Sequence, residues 1–166
     1  MAQSTSGSWQ AKLRRELPLL GHRNWIVIVD SAYPLQTSPG LETVDTGASQ
    51  LAVVNTVLSE LGHTRHVRPL VFVDKELDYV APEDYAEVAA YRDGLKQSLK
   101  PYPVQSLLHE EILHRLSEAG QTYKVLVLKT TMTVPYTSVF LQLDCKYLSA
   151  EGEQKIRRAM KAAGAR

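Results

Sequence analysis

Apolar positions along the chain follow two patterns. Residues 25–29 form one uninterrupted apolar run rich in β-branched side chains, the mark of a strand buried on both faces of a sheet. Runs at 69–73, 123–129 and 136–143 repeat it, and shorter strands are expected at 41–45 and 104–108. Between these runs the apolar residues return every three or four positions. Leu13, Leu17 and Leu20 mark a helix over 9–20 that Pro18 ends or bends. Leu51, Val54, Val57, Leu58 and Leu61 mark a helix over 49–61, stopped by Gly62. Ala81-Pro82-Glu83-Asp84 opens a helix expected to reach Leu99, with Pro82 in its first turn and the acids at its positive end. Tyr85, Val88 and Ala89 supply its packing face, with Tyr91. Residues 109–119 and 149–163 complete the helices. Strands alternating with helices imply a layered α/β domain. It is expected to fill residues 9–166 behind a short mobile lead-in at 1–8.

Composition narrows the picture by exclusion. A chain of 166 residues with 44% apolar and 22% charged residues can bury one sizeable core. Its net charge of +1, with both signs interspersed, demands neither a nucleic acid nor an anionic membrane as partner. The single cysteine, Cys145, rules out an internal disulfide framework and reads as a structural thiol. No apolar run nears the roughly 18 residues of a membrane span, and the N-terminus lacks a secretory pattern. A cytoplasmic location is expected.

Candidate chemistry gathers at element ends. His22 stands just before the strand at 25–29 and Asp30 just after it, ahead of a Pro- and Gly-containing loop. In open α/β sheets ligands bind beyond the carboxyl ends of strands, which suits Asp30. Asp45 precedes a helix, His109 opens one, and Tyr136 and Ser138 stand at the start of the last apolar run. A helix N-terminus disfavours an imidazolium, so a neutral His109 is expected. His63 and His66 read as part of a solvated basic connection. His109 and His114 are five apart, so the His-Glu-x-x-His zinc motif is absent. Gly-rich phosphate loops and the G-x-S-x-G elbow are absent as well. The remaining His, Asp, Tyr and Ser groups suit a neutral, hydroxyl-rich ligand.

These residues resemble a known family. Leu20-Gly21-His22, an apolar strand and then Asp30-Ser31-Ala32-Tyr33-Pro34 are similar to the ribose pyranase and fucose mutarotase (RbsD/FucU) family. Val44-Asp45, His109-Glu110 and the segment Pro135-Tyr136-Thr137-Ser138 with its following strand match in the same order, over roughly residues 10–145. The chain departs from the pattern at Ser138, where the family usually has asparagine, and around Thr131 and Met132, where it has a Gly-Glu pair.

The resemblance implies a single-domain, three-layer α/β/α fold with a mostly parallel or mixed central sheet. It implies an isomerase that interconverts pyranose and furanose, or anomeric, forms of a free monosaccharide, with no metal or redox cofactor. His22 would be the proton donor. Asp30, Asp45, His109, Tyr136 and Ser138 would hold the sugar. The family's ring-like assemblies imply a homo-oligomer with sites near subunit interfaces. Two other readings stay open: a sugar-binding protein that does not catalyse, and a protein whose exposed tyrosines (Tyr79, Tyr85, Tyr91, Tyr102) serve assembly.

Overall fold

In the computed structural model, residues 8–165 are described. Six strands form one sheet: β1 (Trp25–Val29), β2 (Leu41–Asp45), β3 (Val67–Asp74), β4 (Val104–Leu107), β5 (Val125–Lys129) and β6 (Val139–Cys145). Their spatial order is β2-β5-β1-β6-β3-β4. β5 is parallel to both β1 and β2, and β3 is parallel to β4. β6 runs antiparallel to its neighbours β1 and β3. Five strands therefore share one direction, and β6 alone opposes them.

The alternating side chains of the central strands feed two apolar layers. Ile26, Ile28, Leu126, Leu128, Leu141 and Leu143 face α1 (Trp9–Glu16), α2 (Gln50–His63) and α3 (Val88–Leu99). Trp25, Val27, Val29, Val125, Val127 and Phe140 face the opposite way, onto Ile112 and Leu116 of α4 (His109–Ala119). Every residue of β1 is buried, as its unbroken apolar run predicts. The molecule is thus an α/β fold with helices on both faces of a mixed sheet. A further helix, α5 (Ala150–Ala162), follows β6 and contains no buried residue.

Two element boundaries are revised, and one expectation falls largely outside the described residues. The expected lead-in lies outside the described residues except for Ser8, whose side chain accepts a hydrogen bond from the Ala11 N–H and caps α1. The helix expected from Ala81 begins at Val88. Residues 81–87 form turns instead, after a 3-10 helix at Lys75–Tyr79. In consequence Tyr85 is not core: it stands in that connection, 38% exposed. Tyr91 is buried and donates its hydroxyl to the Thr137 carbonyl, so it is not available to a partner. The last strand starts at Val139, which leaves Tyr136 in the turn before it.

Candidate functional site

Because β1 to β5 are codirectional, their carboxyl ends meet at one edge of the sheet, where β6 begins. That edge carries Asp30 after β1, Asp74 at the end of β3, His109 just after β4, and Tyr136 ahead of β6. A cavity of about 460 Å³ opens there, lined by Asp30, Tyr33, Tyr85, His109 and Tyr136 with Pro34, Val134 and Pro135. The size falls within the range of small-molecule sites, about 300–1,000 Å³.

His109 is the first residue of α4, and its backbone N–H donates to both carboxylate oxygens of Glu76 at 3.1 Å. Glu76 thereby satisfies a donor that the helix start leaves free. The His109 Nδ1 lies 3.0 Å from Oδ1 of Asp74, a side chain with no exposure. That hydrogen bond fixes the ring and leaves Nε2 as the nitrogen available to the cavity. The Tyr136 ring stands edge-on to the imidazole, centroids 5.6 Å apart.

The electrostatics follow from this pairing. The Asp74 hydrogen bond lifts the His109 pKa above its ordinary 6.5, with the Asp74, Glu76 and Glu110 charges adding to it and burial opposing. The direction of this shift runs against the neutral His109 expected from the helix end, because the buried Asp74 carboxyl lies 3.0 Å from Nδ1. Burial pushes Asp74 above the usual carboxylate range, and its bond to His109 only partly offsets that. Burial also raises Tyr33 far above an ordinary phenol, so its hydroxyl stays protonated and serves hydrogen bonding. That hydroxyl lies 3.0 Å from Gln36 Oε1.

Tyr136 has a positive φ of 58°, which in a non-glycine residue costs on the order of 1–3 kcal/mol and needs external support. The support comes from the next residue. The Thr137 carbonyl accepts from Gln50 Nε2 at 2.8 Å and from the Tyr91 hydroxyl. The Thr137 hydroxyl donates to the Val134 carbonyl at 2.8 Å. Gln50, buried at the start of α2, also donates to the Ile28 carbonyl and has Thr130 Oγ1 at 2.7 Å from its Oε1. One amide thus ties together the ends of β1 and β5 and the approach to β6.

The six residues singled out in the sequence part company here. Asp30, His109 and Tyr136 share the cavity. The Asp30 Oδ1 accepts from the Ala32 N–H at 2.8 Å and shapes the loop that carries Tyr33. Ser138 is fully buried and does not line the cavity, against the expectation that it would close the pocket. It lies one step before the β6 ladder, where the Val73–Val139 pairing sets it opposite Asp74. Among the described residues neither Ser138 Oγ nor Asp74 Oδ2 has a hydrogen-bond partner. Asp45 stands at the same sheet edge but in another groove, beside Ser8, Trp9 and Lys12. It accepts from the Gly47 N–H, and β5 separates its strand from β1.

His22 stands at the opposite end of β1 from Asp30. Four strand steps alone span about 13 Å, so one monosaccharide cannot touch both within a single chain. His22 instead faces a groove of about 730 Å³ with His66, Arg68, Asp144 and the start of α5. His66 in that groove is structural, with Nε2 within 3.1 Å of the Leu17 and Leu20 carbonyls. His63 Nδ1 likewise lies 2.7 Å from the Ser59 carbonyl. Among the described residues no cluster of three or more His, Cys, Asp or Glu could hold a metal. No described helix is long and apolar enough to cross a membrane.

Sequence reading missed Asp74 and Tyr85. Asp74 was detectable by the rule that singled out Asp30, a carboxylate closing a β-branched run. Tyr85 was hidden by the assumption that its segment is helical.

The fold defines a class: the α/β architecture seen in RbsD and FucU structures. No protein-family model and no curated protein matches the chain. Among solved structures, Bacillus subtilis RbsD complexed with D-ribose superposes with a TM-score of 0.60 at 20% identity, covering 87% of this chain and 98% of that one. The fucose mutarotase of Streptococcus pneumoniae, in complex with L-fucose, gives 0.53 at 17% identity, covering 80% and 91%. FucU from Bifidobacterium longum gives 0.52 at 18%, covering 81% and 94%. At these identities the likeness shows a shared fold.

Proposed function

We propose that the protein is a cofactor-independent isomerase that opens and recloses the ring of a free monosaccharide such as ribose or fucose. The observation that carries this reading is the Asp74–His109 pair at the wall of an aromatic-lined cavity, in a fold shared with sugar-bound structures. Ring opening needs a base for the anomeric hydroxyl proton and an acid for the ring oxygen. As the bond from C1 to the ring oxygen breaks, the hydroxyl proton leaves and the ring oxygen gains one. The open aldehyde then recloses on either face, or through another hydroxyl. A histidine's ordinary pKa lies close enough to physiological pH for it to move protons both ways.

In this reading His109 exchanges the proton through Nε2, with Asp74 as a positioning residue. Asp30 accepts hydrogen bonds from sugar hydroxyls, and the Tyr85 and Tyr136 rings offer apolar faces to the sugar. His22 acts as proton donor from a second copy of the chain, which requires a homo-oligomer with sites between subunits. Neither Asp45 nor Ser138 is given a sugar contact, since neither lines the cavity. The alternative is a sugar-binding protein without catalysis, favoured by the distance of His22 from the cavity of its own chain.

Saturation-transfer NMR on ribose and fucose separates the two. The isomerase reading expects faster exchange between ring forms, abolished by His109→Ala. Binding without faster exchange would leave only the second reading.

A further inference from the structure

Among the described residues two buried side-chain polar atoms lack a hydrogen-bond partner, Asp74 Oδ2 and Ser138 Oγ. They belong to facing residues. β3 and β6 are antiparallel, and the step beyond the Val73–Val139 pair sets Asp74 opposite Ser138. Both side chains point to the side of the sheet that carries Phe72 and Phe140, two positions away on each strand. Facing residues of an antiparallel pair hold their Cβ atoms about 4.5–5.5 Å apart. A serine hydroxyl turning about its one side-chain bond reaches a carboxylate oxygen across that gap.

A buried carboxylate oxygen without a donor is costly. The Asp74 side chain has no exposure, and its Oδ1 is committed to His109 Nδ1 at 3.0 Å. The other groups around it offer Oδ2 no donor. Glu76 and Asp30 are acids whose charges oppose the ionisation of Asp74. Glu110 is a third acid, in the first turn of α4. Tyr33 gives its hydroxyl to Gln36 Oε1, and Tyr91 gives its own to the Thr137 carbonyl. Lys75, next along the chain, is exposed. The fully buried Ser138 is the donor that remains.

We propose that Ser138 is a positioning residue whose hydroxyl donates to Asp74 Oδ2, leaving Oδ1 for the His109 Nδ1–H and Nε2 for the cavity. Ser138 then acts two side chains away from any ligand, in keeping with its absence from the cavity lining. A hydrogen bond to the ionised form of a carboxyl group favours that form. Ser138 therefore holds Asp74 as a carboxylate and, through it, sets the orientation and charge of the His109 ring. The bearing of this link on ring opening rests on the proposed function, while the link itself stands on the facing pair alone.

NMR of the His109 imidazole nitrogens over pH tests the link, with ring-form exchange of ribose and fucose measured on the same samples. In Ser138→Ala the Asp74 carboxylate loses its donor, and the His109 titration midpoint should fall by about half a pH unit or more. Ser138→Cys puts a weaker donor in the same place and should give a smaller fall. It also carries the comparison if circular dichroism shows Ser138→Ala unfolded. In the Asp74→Asn background Ser138→Ala should add no further shift, because its route to the ring is gone. An unmoved midpoint in the folded Ser138 variants, or the same shift with and without Asp74, would overturn the proposal. The expected shifts, with no sugar exchange by the wild type, would uphold the positioning link and reject the isomerase reading. Wild-type exchange with a midpoint indifferent to Ser138 would do the opposite.

Discussion

His109 stands at a helix start, which disfavours its charge, and beside the Asp74 carboxyl, whose hydrogen bond is the largest influence raising its pKa. The Asp74→Asn substitution should therefore bring the His109 pKa down toward its ordinary 6.5, as read from its imidazole NMR shifts over pH. An unmoved titration would show that the pair does not govern the ring. The same pair ties stability to pH. The folded pKa of His109 lies above the unfolded one, so its contribution is complete below about 6.5 and is lost as pH rises through the folded value. Asp74 is also raised in the folded state, so its ionisation works in the same direction. Wild-type stability should fall with rising pH across that window in denaturant titrations, and the Asp74→Asn profile should be flatter. A residue such as Asp74 was legible in principle, since it closes an apolar run as Asp30 does. Its burial and its partner were not, because they depend on the pairing of β3 with β4 and on where α4 begins.

Elements fared unequally for a physical reason. β1, β5, α2 and α4 carry their signal in their own apolar spacing, and each was recovered within two residues. The start of α3 was misplaced because Pro82 and the acids around it are good first-turn residues, yet the chain spends them on turns before Val88. The burial of Ser138 was illegible because it comes from neighbours on both sides of β6. Gln50 belongs here too: in the sequence it is only the polar start of a helix, and in the fold it joins three strand ends. Gln50→Ala should cost about 1–3 kcal/mol through the polar groups left unpaired, measured by denaturant midpoint. It should also loosen the support of Tyr136. Gly40 is a second constrained point. A Cβ there would stand 2.2 Å from the Tyr123 carbonyl oxygen and 2.7 Å from that of Gly120. Gly40→Ala should destabilise by about 1–3 kcal/mol or more by the same measurement, and a neutral result would mean that the loop gives way easily.

For the whole molecule, the decisive feature is directional. Five parallel strands deliver Asp30, Asp74, His109 and Tyr136 to one edge and leave His22 at the other. The sequence placed His22 and Asp30 at opposite ends of one strand, and the implied site needs both. The fold resolves this only if two copies contribute to one cavity. His22→Ala and His109→Ala, each inactive alone, should then regain part of the exchange when mixed under conditions that allow subunits to redistribute. Failure to regain any would confine catalysis to one chain.

In the proposed function the Asp74–His109 cavity opens sugar rings. Its most direct test is saturation transfer between ring forms of ribose and fucose with wild type and His109→Ala, each checked for folding and mass. Exchange should be accelerated by wild type and lost in His109→Ala with fold and assembly intact. Exchange that is equally fast with the folded His109→Ala protein would contradict it.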